Sequence, residues 1–231
     1  MKTIGLIGGL GPESTIEYYR LLQATYRERY TDGSQPSIII NSIDMKKLLS
    51  MVAAGELSEL TDYLSDEVLR LAKAGAHFGL IASNTPHIVF DRVVRRSVIP
   101  LISIVEAACD AAIKLDLKRL ALFGTKFTMQ GDFYPDVFYR NGIELIVPAP
   151  TEQDYIHEKY FEELVNGKVL PETLERILAI VQRMKDQQGI QGLVLGGTEL
   201  SLLFRESTAV DVPVLDTTKI HVDRAVAELL S

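Results

Sequence analysis

The sequence has little cysteine, no excess of basic charge and no long apolar run. A single cysteine among 231 residues excludes an internal disulfide framework and a cysteine-rich zinc site. The formal net charge of -7 argues against a nucleic-acid partner, because such partners need a clustered basic surface. No apolar stretch approaches the ~18 residues of a membrane span, and the N-terminus lacks the pattern of a signal peptide. We therefore expect a cytoplasmic protein without a membrane partner.

Short apolar runs alternate with longer segments that have helical periodicity. Eight runs are apolar throughout, as is typical of parallel strands that helices cover on both faces. They are residues 3–7, 37–41, 79–82, 98–102, 119–123, 144–147, 192–195 and 212–215. The alternation predicts an α/β fold in which mostly parallel sheets are flanked by helices.

Three of the intervening segments carry clear helix signals. Residues 15–29 show apolar side chains three and four apart, with Ser14 as a candidate N-cap. That stripe consists of Ile16, Tyr19, Leu22 and Tyr26. A second predicted helix, residues 57–74, stops at Gly75, and a third, residues 171–187, starts at a proline.

The chain contains an internal duplication of three short segments in the same order. Leu6–Gly9 is echoed by Leu122–Thr125, Leu80–Thr85 by Leu193–Thr198, and Ile99–Ile102 by Val212–Leu215. We therefore expect two pseudo-symmetric lobes, residues 1–100 plus 212–231 and residues 101–211. Ligands of parallel sheets collect beyond the carboxyl ends of the strands, so the duplication predicts a ligand cleft between the lobes.

A glycine-rich turn follows the first strand of each half. The turn at residues 8–14 departs from the dinucleotide fingerprint, because Ser14 replaces its third glycine and the acidic residue expected downstream is missing. The amides near Gly9 suit a small carboxylate, although a purely structural turn fits equally well. In the second half, Thr125 and Thr128 could hold a carboxylate or could simply cap a helix.

Polar residues follow the third and seventh predicted strands. Asn84 and Thr85 end the first of these, and Thr198 and Glu199 end the second. Each could be a helix cap, but their duplication favours a shared ligand. His87 lies one turn past Ser83 and could reach that ligand or be a buried structural residue.

The remaining candidate groups give no sign of a metal site or of a reactive thiol. None of the four histidines has a partner at metal-ligand spacing, so we expect no metal. Cys109 falls in an apolar helical segment and is expected to be a buried, inert thiol.

Together these motifs resemble the aspartate/glutamate racemase superfamily, and its aspartate racemase branch in particular. The resemblance covers essentially the whole chain and rests on residues 2–9, 84–87, 124–134 and 196–199. It implies two α/β lobes, a homodimer, and inversion of the α-carbon of a small amino acid by two acid/base residues. It also implies that neither pyridoxal phosphate nor a metal is needed, so no cofactor is expected.

The resemblance fails at the two acid/base positions, where the family places cysteines. Ser83 and Gly197 stand there in this chain. A thiol with a pKa of ~8.5 can act as both base and acid near neutrality, whereas a serine hydroxyl needs a neighbouring base. Glycine can transfer no proton. The two-thiol mechanism is therefore excluded.

Three functions stay open. A racemase-type isomerase could use Ser83, activated by His87, on one face and Glu199, or a water beside Gly197, on the other. A single-base lyase, decarboxylase or isomerase is the second possibility, and a non-catalytic carboxylate-binding protein is the third. In each case a small amino acid or related carboxylate would be held by Gly9, Asn84, Thr85, Thr125, Thr128 and Thr198. By position alone, Lys46, Lys47 and Lys126 are candidates for holding a side-chain carboxylate.

Overall fold

The computed structural model describes residues 2–204 and 210–229 of the chain. The chain divides into two compact units, Met1–Ile104 with His221–Ser231, and Val105–Ile220. Each unit is built on one four-stranded sheet whose strand pairs are all parallel. Within the described residues, no helix combines the length and the apolar character that crossing a bilayer requires.

The first unit follows the predicted alternation of strand and helix. Its elements are β1 (Thr3–Gly8), α1 (Pro12–Arg29), β2 (Ser37–Ser42), α2 (Met45–Ala53), α3 (Leu57–Lys73), β3 (Phe78–Ile81), a 3₁₀ turn at Thr85–Val89, α4 (Phe90–Arg96) and β4 (Leu101–Ile102). The strand order in the sheet is β2-β1-β3-β4. α3 ends where predicted, since Gly75 takes the left-handed conformation (φ 102°) that a residue with a side chain rarely adopts.

The second unit repeats this plan with additional helices. Its elements are α5 (Ile104–Lys114), β5 (Arg119–Gly124), α6 (Lys126–Met129), α7 (Phe133–Arg140), β6 (Glu144–Ile146), α8 (Pro150–Glu162), a 3₁₀ turn at Leu164–Asn166, α9 (Pro171–Gln188), β7 (Gly192–Gly196), a 3₁₀ turn at Thr198–Leu200, α10 (Ser201–Phe204), β8 (Val214–Asp216) and the start of α11 (Thr217–Leu229). The strand order is β6-β5-β7-β8.

The duplication seen in the sequence is confirmed by the two sheets. The three repeated segments fall at β1 and β5, at β3 and β7, and at β4 and β8. In both sheets these strands occupy the same three successive places, next to the edge strand β2 or β6. Each half therefore ends its two central strands in an equivalent position, which is where ligands of parallel sheets bind.

The buried face of α1 differs from the predicted one. The helix begins at Pro12 rather than at residue 15, and the Ser14 hydroxyl donates to the Ala82 carbonyl (3.1 Å) instead of capping the helix. Ile16 and Tyr19 are 60% and 48% exposed. The row spaced four residues apart, Tyr18, Leu22 and Tyr26, packs in the core of the first unit. Leu22 and Tyr26 fit both stripes, so the sequence period alone did not separate them.

The end of the second unit also differs from the expected division. Residues 212–220 were expected in the first lobe, but β8 pairs with β7 in the second sheet, with Val194 opposite Leu215. The Thr217 hydroxyl then donates to the Leu195 carbonyl (2.6 Å). Side chains of α11 from Val222 onward pack in the core of the first unit. The boundary between the two units therefore lies within α11: its first residues, which follow β8, belong to the second unit, and its residues from His221 onward belong to the first.

Candidate functional site

The β3 end is a short turn that buries its polar residues. Asn84 and Thr85 are buried, while Ser83 is half-buried. Pro86 lies in the first turn of the 3₁₀ segment, where its fixed φ suits the bend and its missing N–H costs nothing. The His87 amide closes the turn by donating to the Asn84 carbonyl (2.9 Å).

The His87 ring is committed to backbone groups. Its Nε2 accepts from the Ile104 amide (3.3 Å), so Nδ1 carries the proton and donates to the Ser83 carbonyl (3.0 Å). Burial, together with the nearby His221, lowers the pKa of His87 to about 3. The ring contacts the carbonyl of Ser83 and not its hydroxyl, so the geometry does not support the expected activation of Ser83 by His87.

His221, another of the four histidines in the sequence, is buried in the same unit. The His221 Nε2 donates to the Ile102 carbonyl (2.9 Å), so its Nδ1 accepts from the Tyr18 hydroxyl (2.8 Å). Burial lowers the pKa of His221 to about 4. The His87 and His221 ring centroids are 6.5 Å apart. Both imidazoles are therefore neutral at physiological pH.

The glycine turn after β1 uses its amide internally. The Gly9 amide donates to the Thr15 hydroxyl oxygen (2.8 Å), and that hydroxyl donates to the Gly11 carbonyl (3.2 Å). Gly9 has a φ of 79°, and a Cβ there would lie 2.3 Å from the Ile43 carbonyl oxygen. The structure thus favours the structural interpretation of this turn over the predicted carboxylate contact at Gly9.

The equivalent turn after β5 is a helix cap. The Thr125 hydroxyl oxygen accepts from the Thr128 amide (3.4 Å) and lies 3.3 Å from the Thr128 hydroxyl. Both side chains are buried, and Thr128 packs against Gly124 and Gly196. Capping, the second of the two interpretations left open, accounts for these contacts.

At the β7 end, two hydroxyl groups donate hydrogen bonds to the same carboxyl oxygen of Glu199. Thr198 and Glu199 are buried in the 3₁₀ turn that follows Gly197. The Tyr160 hydroxyl, from α8, donates to the Glu199 Oε2, and the Thr198 hydroxyl donates to the same oxygen (2.6 Å). Burial and the charge of Glu199 raise the pKa of Tyr160 well above its ordinary value. The phenol therefore stays protonated and keeps its role as donor.

Tyr160 also occupies the space beside Gly197. A Cβ built on Gly197 would lie 2.6 Å from the Tyr160 Cε2 and 3.3 Å from the Tyr160 hydroxyl oxygen. Sequence reasoning missed Tyr160, because its spacing of four residues from the buried Ile156 and Leu164 is typical of any helix that faces a core.

Two of the lysine candidates have partners within their own unit. The Lys47 ammonium lies 4.1 Å from the centroid of the Tyr63 ring, and Lys126 pairs with Asp154. Lys46 is exposed near the start of α2. The structure does not single out any of the three for a ligand carboxylate.

The structure shows neither a reactive environment for Cys109 nor a group of metal ligands among the described residues. Cys109 is buried in α5, where burial raises its pKa to about 11, as expected for an inert thiol. Among residues 2–204 and 210–229, no group of three histidine, cysteine or acidic side chains is arranged to hold a metal ion.

Comparison with known proteins gives one consistent relationship. Residues 7–225 match the model of the Asp/Glu/hydantoin racemase family. The fold is similar to that of an aspartate racemase homologue from Pyrococcus horikoshii OT3, with 35% identity, a TM-score of 0.84 and 99% of each chain covered. A Yersinia pestis protein shares 31% identity over the whole of both chains, with a TM-score of 0.91. The broad-specificity amino-acid racemase RacX of Bacillus subtilis (strain 168) is 21% identical over 224 residues, covering 93% of this chain and 92% of RacX.

Proposed function

Because the chain belongs to the Asp/Glu/hydantoin racemase family, we propose that it is a cofactor-independent isomerase of the racemase type. The substrate is a small amino acid or a closely related carboxylate, in keeping with the names of its relatives. Ser83 and Gly197 stand at the two family cysteine positions, so the proton is carried by oxygen rather than by sulfur. The enzyme is a cytoplasmic homodimer and takes neither nucleic acid nor membrane as a partner.

The buried cluster at the β7 end carries this proposal. The carboxyl of Glu199 is the acid/base group, supported by hydrogen bonds from Tyr160 and Thr198. As carboxylate it accepts the α-proton of the substrate, and the C–H electron pair stays on the substrate, delocalised toward its carboxyl group. Return of a proton to the α-carbon completes the cycle without a change in oxidation state. Return of the proton by the Glu199 carboxylic acid to the same face gives exchange with retention. Inversion takes a proton from a water molecule on the opposite face, and the proton held by Glu199 is then released to the resulting hydroxide.

The polar residues at the two strand ends bind the substrate. Asn84, Thr85 and Thr198 hold its carboxylate and amine, and the half-buried hydroxyl of Ser83 supplies a further hydrogen bond. Gly9, Thr125 and Thr128 act indirectly, by shaping the turns that follow β1 and β5.

The test is proton exchange in deuterated water. The full chain is incubated with L- and D-aspartate, L- and D-glutamate and a panel of other amino acids, and loss of the α-proton signal is followed by NMR. Deuterium in both enantiomers of one amino acid supports the racemase type, and deuterium with retained configuration supports one-sided chemistry. If the folded full chain exchanges the α-proton of no amino acid in the panel, the proposed activity is wrong.

A second candidate is a carboxylate-binding homologue without turnover. The specific observation in its favour is that Tyr160 fills the space where a side chain at position 197 would begin. Calorimetry on the same panel separates the two candidates, since tight binding without exchange supports this one. Light scattering on the same samples tests the proposed dimer.

A further inference from the structure

The space beside Gly197 is closed by an aromatic ring from another element. The backbone of Gly197 lies in the ordinary extended region (φ -152°, ψ 125°), so any amino acid could adopt its conformation. The obstacle to a side chain is therefore not the backbone but the Tyr160 ring, whose Cε2 would lie 2.6 Å from a Cβ at this position.

The ring cannot easily turn away from this position. Tyr160 is 7% exposed, and its ring packs against Phe161 with 5.4 Å between the ring centroids. Its hydroxyl is held by the Glu199 carboxyl, which also accepts from Thr198. Moving the ring would break a buried hydrogen bond to a charged acceptor, and such bonds are among the stronger ones in proteins.

We propose that Tyr160 is the positioning residue of the β7 end: its ring replaces a side chain at position 197, and its hydroxyl fixes the carboxyl of Glu199. Gly197 and Tyr160 are thus a matched pair, in which the absence of one side chain makes room for the other. The ring-filling part stands on the geometry alone, whereas the effect on turnover rests on the proposed function.

The ring-filling part is tested by a cycle of variants that needs no activity. Gly197→Ala is expected to lower the melting temperature by about 3 to 10 °C, because the new methyl group meets the ring. The same change in a Tyr160→Phe background has the same effect, since the ring is kept. In a Tyr160→Leu background the effect largely disappears. An equal loss in all three backgrounds would overturn the pairing.

The fixing of Glu199 is tested spectroscopically. In protein labelled with ¹³C at the glutamate side-chain carboxyls, the Glu199 signal is identified by its disappearance in Glu199→Gln. Tyr160→Phe is expected to shift that signal, whereas Tyr139→Phe, at a tyrosine that is 82% exposed, leaves it in place. An unshifted Glu199 signal in Tyr160→Phe would show that the hydroxyl does not hold the carboxyl.

Kinetics then connect the pair to turnover. Where the parent protein exchanges α-protons, Tyr160→Phe is expected to lower kcat by about tenfold or more with little change in KM, because the acid/base group is misplaced while the binding residues remain. A change in KM alone would contradict a positioning role. If the parent protein shows no exchange, the proposed function fails, but the stability cycle and the carboxyl spectrum still decide the role of Tyr160.

Discussion

The two halves of the molecule end their central strands alike in sequence and differently in chemistry. At the β3 end the titratable side chain is His87, and both of its ring nitrogens are bound to backbone groups. At the β7 end it is Glu199, whose carboxyl accepts hydrogen bonds from two side chains. Under the proposed function, His87 therefore serves the fold, and Glu199 is the group that exchanges a proton.

The comparison shows that duplication preserves position more strictly than role. Both sheets have the same strand order, and the segments after β3 and β7 are both 3₁₀ turns. The two positions differ in what occupies the space beside the backbone. Position 83 carries a half-buried hydroxyl, whereas the Tyr160 ring fills the space beside Gly197. We therefore expect changes at Glu199 to affect turnover and changes at His87 to affect mainly stability.

The largest expected effect is that of removing the carboxylate at the β7 end. Glu199→Gln keeps the shape of the side chain but cannot accept a proton, so α-proton exchange is expected to fall about 10²- to 10⁴-fold. NMR in deuterated water measures the rate, with Glu158→Gln as the matched exposed control. Retention of more than a tenth of the parent rate by Glu199→Gln would place the acid/base group elsewhere.

The next effect is the acid sensitivity that the histidines give to the first unit. His87 and His221 have pKa values lowered to about 3 and about 4, so between there and pH 6.5 the unfolded chain binds more protons than the folded one. The contribution of the two neutral histidines to the free energy of unfolding is complete above pH 6.5. It falls as the pH is lowered through this window, by about 1.4 kcal/mol per pH unit for each histidine.

Denaturant unfolding of the parent protein and two variants measures this slope. His87→Gln removes one titrating group and is expected to reduce the slope between pH 6 and pH 4.5. His221→Gln is the second variant, and it is expected to reduce the slope in the same window. Parallel curves for His87→Gln and the parent protein would mean that His87 does not stay neutral in the fold.

Introducing cysteines at positions 83 and 197 tests the two strand ends directly. Ser83→Cys exchanges a half-buried hydroxyl for a thiol of similar shape and is expected to change stability by less than about 1 kcal/mol. Gly197→Cys meets the Tyr160 ring and is expected to cost about 1 to 3 kcal/mol. The double change is expected to gain two-thiol racemisation only when Tyr160 is also shortened to leucine. Equal stabilities of the two single variants would remove the distinction between the strand ends.

The smallest effect concerns the native thiol, which belongs to neither strand end. Cys109 is buried with a pKa raised to about 11, so Cys109→Ala is expected to leave the exchange rate within about twofold of the parent rate. A thiol reagent should modify native protein far more slowly than unfolded protein. Loss of exchange in Cys109→Ala would reopen a thiol mechanism.

Much of the fold could be predicted because its signals are local. Eight apolar runs and the repeated segments located the eight strands found within residues 2–204 and 210–229 and the duplication, with shifts of a few residues at the ends. The face of α1 and the unit to which β8 belongs were not local properties. Two stripes on α1 share Leu22 and Tyr26, and β8 is placed by its pairing with β7.

The candidate site was predicted in position but only partly in role. Glu199 and Thr198 lie together at the β7 end, as their adjacency in the sequence suggested, whereas His87 and Gly9 serve the backbone. Which partner a polar side chain takes depends on groups distant in the chain, and sequence spacing does not contain that information.

The sequence by itself determined the alternation of strand and helix and the duplication, since each is a property of residue type and order. The tertiary structure alone decided that Tyr160 fills the space beside Gly197 and holds Glu199. These residues are separated along the chain and meet only because α8 packs beside the end of β7. Contacts between segments that are distant in the chain depend on how the whole unit packs, and the local sequence does not specify them.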